Sequence, residues 1–76
     1  MQITIENTKK VVTFNNVPCR IWEGKTSSGI EVICFIPRIA ISKDENEAIQ
    51  AQFADELDSM KPPSKEVEAF PARLIL

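Results

Sequence analysis

The sequence predicts an α+β fold: a small antiparallel sheet of about four strands with one amphipathic helix packed on one face. Short β-branched or alternating segments occupy the first half of the chain, turn-forming residues separate them, and a single helical pattern follows from Ser42. With 76 residues the chain has room for one domain, spanning 1–76, and its core is expected to be thin.

The predicted strands lie at residues 3–5, 11–14, 17–23 and 30–36. A polar break at 7–10 separates the first two. Asn15 and Asn16 tolerate the left-handed backbone of a tight turn, and Gly29 completes a second hairpin signal that starts at Thr26. The last of the four segments is apolar on both faces, which is the pattern of a central strand covered on both sides.

The predicted helix begins at Ser42, because this serine and the glutamate three residues later fit a capping box. An apolar stripe follows at helical spacing, formed by Ile49, Phe53, Leu57 and Met60. Prolines at 62 and 63 are expected to end the helix. Ser64 is expected to cap a short turn of helix through Glu68, and residues 74–76 are expected to add a last short strand.

The composition excludes several classes of chemistry. There is no histidine, so neither a Ser-His-Asp nor a Cys-His arrangement can be built, and the commonest zinc ligand is missing. Only two glycines are present, so no phosphate-binding glycine loop exists. Cys19 and Cys34 are interpreted as packed thiols, with a disulfide as the alternative. We therefore expect no catalytic residue, no metal site, no cofactor and no enzymatic activity.

The expected location is the cytoplasm. Residues 1–6 do not place a basic region before an apolar core, so they do not have the pattern of a signal peptide. No apolar run approaches the roughly 18 residues that cross a bilayer, so no membrane association is expected.

Three residues of the strand region are candidates for binding. Trp22 is the only tryptophan, and Arg20 lies two positions earlier and hence on the same strand face. Trp22 is expected to pack in the core, and the alternative is that it stacks with Arg20 on a base or anchors a partner loop. Arg38 follows the most apolar strand and is expected either to pair with a carboxylate or to contact an anion.

A second group of candidates lies on the predicted helix. The net charge of the chain is −2, and residues 42–76 hold eight acids against four bases. Glu47, Asp55 and Asp58 fall opposite the apolar stripe. Such a face can serve solubility alone, or it can dock against a basic site on another protein in the manner of a nucleic-acid mimic.

Residues 17–24 (VPCRIWEG), 28–30 (SGI) and 35–40 (FIPRIA) resemble short reading frames of bacteriophages and prophages, as does the ending 71–76 (PARLIL). The resemblance is to small accessory proteins and carries no functional residue with it. It implies a protein that acts inside a bacterial cell, where proteins of this kind often bind and inhibit a host factor.

Three functional hypotheses follow. The first is a non-catalytic interaction module, which the resemblance implies is a phage-type protein that modulates or inhibits a host protein. The second is a small-ligand or nucleotide-binding protein that uses Arg20, Trp22 and Arg38, with a dimer interface as one location for the site. The third, a single-strand nucleic-acid binder, is disfavoured by the acidic balance. A protein partner is expected, and a homodimer remains open.

Overall fold

A computed structural model of the chain describes residues 1–68. In chain order the elements are β1 (Ile3–Phe14), β2 (Val17–Thr26), β3 (Glu31–Ile36), α1 (Glu47–Asp58) and α2 (Lys65–Glu68). The strands form one antiparallel sheet in the order β1-β2-β3. The predicted α+β class is confirmed, and the predicted strand at 74–76 lies outside the described residues.

The described sheet has three strands, because the first two predicted strands are one strand. β1 continues through the polar residues 7–10, and its register with β2 shifts between Asn7 and Val11, so that three residues of β1 stand opposite one of β2. The Thr8 hydroxyl donates to the Ile21 carbonyl at 2.8 Å, and Arg20 Nη1 donates to the Thr8 carbonyl at 2.9 Å. These bonds occupy backbone groups at the bulge, so the polar run does not end the strand.

Both predicted hairpin turns are confirmed. Asn15 and Asn16 have φ values of 51° and 65°, as a two-residue turn with left-handed backbone requires. In the second turn Gly29 has φ of 89°, the Gly29 N–H donates to the Thr26 carbonyl at 3.0 Å, and the Thr26 N–H donates to the Ile30 carbonyl at 2.9 Å.

β2 is the central strand of the described sheet, and the expectation that the most apolar strand would be central is wrong. β3 pairs with β2 and with no other strand in residues 1–68. Residues 32–36 of β3 are all half-buried. Apolar side chains on both faces of a strand therefore indicate that both faces are covered, but they do not determine where the strand lies in the sheet.

The two faces of the sheet carry different helices. Cys19 and Ile21 point to the face covered by α2, and with Val67 of α2 they are the buried hydrophobic residues of the described chain. The opposite face carries Trp22 and lies beside α1, where Asn7 Nδ2 donates to the Leu57 carbonyl at 2.8 Å. We call these the α2 face and the α1 face.

The chain passes from one face to the other at Lys61. This residue forms a parallel bridge with Thr8 on the outer edge of β1, and the Lys9 N–H donates to the Lys61 carbonyl at 2.9 Å. α1 precedes this crossing and α2 follows it. The outer edge of β1 is thereby occupied at the bulge.

α1 begins later than predicted. Its N-cap is Asn46, whose Oδ1 accepts from the Ile49 N–H at 2.9 Å, whereas Ser42 Oγ accepts from the Asp44 N–H at 3.2 Å in a separate turn. The capping box at Ser42 is wrong because asparagine is an equally strong cap and lies nearer the apolar stripe. The predicted cap of the short second helix is confirmed, since Ser64 Oγ accepts from the Val67 N–H at 3.2 Å.

α1 covers the sheet loosely. None of its residues is buried: Phe53 and Leu57 are half-buried, while Ile49 is 42% exposed. Several large apolar side chains of the described residues also stay exposed, among them Ile39 and Ile41 in the segment before α1. The fold therefore leaves apolar surface that its own core does not use.

Candidate binding site

A cleft of about 550 Å³ separates α1 from the α1 face of the sheet. Trp22 lines it from the sheet, Phe53 and Leu57 line it from the helix, and Ile39 lines it from the segment between β3 and α1. Glu56 lines it from the helix, whereas Glu6 borders both this cleft and a second one on the α2 face, because it stands opposite Glu23 and its side chain belongs to the α2 face. We call this space the helix–sheet cleft.

The sheet places Trp22 firmly within this cleft. The residue sits on the central strand, opposite Asn7 of β1 and Cys34 of β3. It is half-buried rather than enclosed in the core. A half-buried tryptophan on a rigid strand can pack against its own helix and still offer ring surface to a ligand.

Arg20 shares the strand face of Trp22, as predicted, but its guanidinium is already used. Its hydrogen bond to the Thr8 carbonyl holds the bulge of β1. This contact explains the arginine structurally, and it draws the cation away from the role of an anion ligand.

Arg38 is not part of the same group. It is exposed in the segment after β3, does not line the helix–sheet cleft, and forms neither a hydrogen bond nor an ion pair within residues 1–68. The structure therefore does not bring Arg20, Trp22 and Arg38 together as one site.

The acidic candidates lie on α1 and are all exposed. Glu47 is in the first turn, where the helix dipole favours a carboxylate. Asp55, Glu56 and Asp58 crowd the last turn, where the dipole disfavours negative charge and the helix has no basic residue. No ion pair of the described chain involves any of these acids.

A second cleft, of about 640 Å³, opens on the α2 face, and Glu23 lies in it. One Glu23 oxygen is 2.9 Å from Lys61 Nζ, and the other accepts from the Ser64 hydroxyl at 2.9 Å and from the Ser64 N–H at 3.4 Å. The Glu23 side chain is only 13% exposed. This cluster joins the start of α2 to the central strand.

The pKa values of this pair move apart. Burial alone would raise the pKa of Glu23, but hydrogen bonds from Lys61 and Ser64 outweigh it, so the pKa is lowered below 4.5. The hydrogen bond to Glu23 raises the pKa of Lys61 above 10.5, against the opposing effect of burial. Both groups are charged at neutral pH, so the pair is a structural clamp rather than an acid–base site.

Sequence reasoning missed the clamp. Glu23 and Lys61 are far apart in the chain, and the only available signal is a charged residue on the strand face that also carries Cys19 and Ile21. The two cysteines are free: Cys19 is buried, and Cys34, opposite Trp22, is half-buried on the other face of the sheet.

Neither a metal site nor a match to a known protein indicates what these clefts do. Within residues 1–68 no group of three histidine, cysteine, aspartate or glutamate residues is placed to hold a metal ion, and no helix is long and apolar enough to cross a membrane. No family model, no curated protein and no solved structure matches the chain.

Proposed function

We propose that this chain is a non-catalytic protein-binding module that docks through α1 onto a basic surface of its partner. The observation that carries the proposal is that α1, a helix of 12 residues, buries none of them and concentrates acids at its C-terminal end. Negative charge there opposes the helix dipole, so it lowers helix stability without an intramolecular counter-charge among the described residues. A role of these acids in partner recognition accounts for the presence of negative charge at this end of α1.

Exposed apolar surface on α1 and in the segment before it supports the same proposal. Ile39, Ile41 and Ile49 are all exposed, at 44%, 36% and 42%. They lie on α1 or in the segment leading to it. Apolar anchors within a charged rim are the usual composition of a protein-binding surface. The resemblance to phage accessory proteins adds that the partner is a bacterial host protein that this chain modulates or inhibits, inside the cytoplasm.

The test compares two triple variants with equal changes of charge. One neutralises the α1 acids (Glu47→Gln, Asp55→Asn, Asp58→Asn), and the matched control neutralises exposed acids outside α1 (Glu31→Gln, Asp44→Asn, Glu45→Gln). Each is immobilised, exposed to bacterial lysate at low and moderate salt, and its retained proteins are identified. The partner's affinity is then measured with purified components.

We expect one protein to bind the original chain and the control but not the α1 variant, with affinity that falls as salt rises. Equal retention by both variants would remove α1 as the contact. Circular dichroism of each variant verifies that the helix is intact.

A small-ligand binder is the second candidate, because Trp22 lines a cleft open to solvent. The nucleotide form of this hypothesis has less support, since Arg20 is bound to Thr8 and the Glu56 carboxylate lines the cleft. Titration of tryptophan fluorescence with a nucleotide panel tests it, and a saturable response would restore it. Binding of single-stranded nucleic acid at low salt tests the third hypothesis, which the net charge of −2 disfavours.

Self-association is an alternative use of the exposed apolar surface. Native mass spectrometry reports subunit number and retained companions together. A homodimer that withstands dilution would make a second copy the first partner to examine, in place of a host protein.

A further inference from the structure

We propose that the helix–sheet cleft binds a small, uncharged, flat ring that carries an amide edge, meaning an N–H beside a carbonyl. This inference goes beyond docking through α1 and does not depend on it, because it gives the second candidate function the chemistry of its ligand. It comes from three features of the cleft: hydrogen-bonding atoms of Asn7 and Trp22 that the described chain leaves unused, apolar walls, and balanced charge.

The side-chain amide of Asn7 is oriented by α1. Its Nδ2 donates to the Leu57 carbonyl at 2.8 Å, which identifies the other amide atom as the acceptor Oδ1. Oδ1 accepts no hydrogen bond within the described chain, although the residue is only 9% exposed. No fully enclosed side-chain oxygen or nitrogen of the described residues lacks a partner, so Oδ1 is open to solvent. Because Asn7 lines the helix–sheet cleft, this acceptor is reached from the cleft.

A donor without a partner lies beside this acceptor. Trp22 stands directly opposite Asn7, whose backbone carbonyl accepts from the Lys61 N–H at the outer edge of β1 and is turned away from β2. In such a non-hydrogen-bonded pair the side chains are closest, with Cα atoms about 4.5 Å apart. The indole N–H of the half-buried Trp22 has no acceptor within residues 1–68, and it is open to solvent for the same reason as Oδ1. A ligand held against this pair can use both atoms.

The rest of the lining favours an apolar, neutral body. Ile5 lines the cleft from the sheet, Phe53 from the helix, and Ile39 from the segment before α1. Glu56 and Lys61 line it with one charge of each sign, so the cleft offers no excess charge to an ion. Its volume of about 550 Å³ is that of a small-molecule site, and one side chain of a docked protein would fill only part of it.

An amide edge matches the two unused atoms, since its N–H can donate to Asn7 Oδ1 and its carbonyl can accept from the Trp22 indole. Other groups match them less well. A carboxylate has no N–H and would bring a further acceptor against Oδ1, and an ammonium would leave the indole N–H without an acceptor. A hydrocarbon would remove both atoms from water without replacing their hydrogen bonds, which costs free energy.

The experiment titrates the whole chain with three bicyclic ligands of similar size. Isoquinolinone carries an N–H beside a carbonyl, its N-methyl derivative lacks the N–H, and naphthoate is an anion without a donor. Binding is followed by the indole N–H signal in an amide correlation spectrum, which is unambiguous because Trp22 is the only tryptophan. We expect a saturable shift with isoquinolinone, binding weaker by about fivefold with the N-methyl derivative, the size of one lost hydrogen bond, and no shift with naphthoate.

Variants localise the contact. Ile39→Ala should weaken isoquinolinone binding about fivefold, because it removes apolar surface from the wall of the cleft. Ile41→Ala is the matched control, since Ile41 is an exposed isoleucine of the same segment that does not line the cleft. Trp22→Phe keeps an aromatic ring and removes the indole N–H, so it should weaken binding by a similar factor in saturation-transfer spectra of the ligand. Circular dichroism verifies that each variant is folded.

Three results would overturn the inference. Absence of a saturable shift with isoquinolinone would mean that Asn7 and Trp22 are only hydrated, equal binding of the N-methyl derivative would remove the hydrogen bond to Oδ1, and equal losses in Ile39→Ala and Ile41→Ala would remove the cleft. Failure of the proposed function is distinct, because protein capture through α1 is measured without the ligand. If the triple variant of α1 loses its protein partner and isoquinolinone gives no shift, docking stands and the ligand site fails. If isoquinolinone binds and no protein is captured, the ligand site stands and docking fails.

Discussion

Replacement of Glu23 by glutamine should loosen α2 from the sheet and flatten the acid dependence of stability. The carboxylate of Glu23 binds Lys61 through one oxygen and Ser64 through the other. Lys61 is 42% exposed, so solvent screens that contact, and we assign about 1 kcal/mol to it and about 1 kcal/mol to the Ser64 hydrogen bonds. The neutral amide retains part of both, so Glu23→Gln should lower the free energy of unfolding by about 1 kcal/mol and Glu23→Ala by about 2 kcal/mol at neutral pH.

The sign of the pH dependence follows from the lowered pKa of Glu23. A carboxyl whose pKa is lower in the folded than in the unfolded state contributes stability above its unfolded value, here 4.5, and loses that contribution as the pH falls through the folded value. The difference in unfolding free energy between the original chain and Glu23→Gln should therefore shrink as the solution is acidified below pH 4.5. Lys61 has a raised pKa, so its contribution is present below 10.5 and is lost as the pH rises through its folded value.

The assay is urea unfolding, followed by circular dichroism at a series of pH values from neutral to acidic. Glu31→Gln is the control, because Glu31 is exposed and forms no ion pair within the described chain. A constant difference between Glu23→Gln and the original chain across the acidic range would refute the clamp. So would a loss in Glu31→Gln as large as that in Glu23→Gln at neutral pH.

Four further substitutions test the packing. Gly24→Ala should destabilise the sheet by at least about 2 kcal/mol in urea unfolding, because a Cβ at this position would overlap the Thr4 carbonyl on the neighbouring strand; near-neutral stability would contradict the register of β1. Thr8→Val should cost about 1–3 kcal/mol, since this fully buried hydroxyl binds the Ile21 carbonyl, and thermal unfolding measures it. Phe53→Ala should cost only about 1–2 kcal/mol, because the ring is half-buried, and a loss of the 3–5 kcal/mol typical of a buried phenylalanine would mean that α1 is part of the core. Asn46→Ala should remove a helix cap worth about 1 kcal/mol, and α1 amide exchange should rise while that of β2 stays unchanged.

Local chemistry was the part of the fold that the sequence could predict. The left-handed backbone at Asn15, Asn16 and Gly29 follows from residue types with little steric alternative, and Ser64 caps the short helix for a similar reason. These features depend on neighbours within a few positions. They appear in the structure where the residues indicate them.

Long-range pairing was the part that could not be predicted. The polar run at 7–10 reads as a break until Thr8 and Arg20 are known to satisfy the backbone of the bulge across two strands. The contact between Glu23 and Lys61 likewise depends on the chain crossing the edge of β1. Apolar periodicity reports which faces are covered, but it does not say whether β2 or β3 lies in the middle.

The same distinction between local pattern and long-range contact applies to the candidate site residues. The exposed positions of Glu47, Asp55 and Asp58 follow from helical periodicity, and the shared face of Arg20 and Trp22 follows from strand alternation. Neither helical nor strand periodicity could predict that Arg20 binds the Thr8 carbonyl or that Arg38 lies outside the cleft that Trp22 lines, because both depend on tertiary geometry. Sequence patterns could therefore propose the members of a site but not their assembly.

The two helices are attached to the same sheet with unequal strength, and this difference connects the fold to the proposed function. α2 contributes the buried Val67, and Ser64, which directly precedes α2, is bound by the Glu23 carboxylate. No residue of α1 is buried. The side-chain hydrogen bond that joins α1 to the sheet in the described chain runs from Asn7 Nδ2 to the Leu57 carbonyl. Because the core does not require α1, its acids and its cleft can change with little loss of stability. The helix is thus the element of the described chain that is most free to be shaped by a partner rather than by folding.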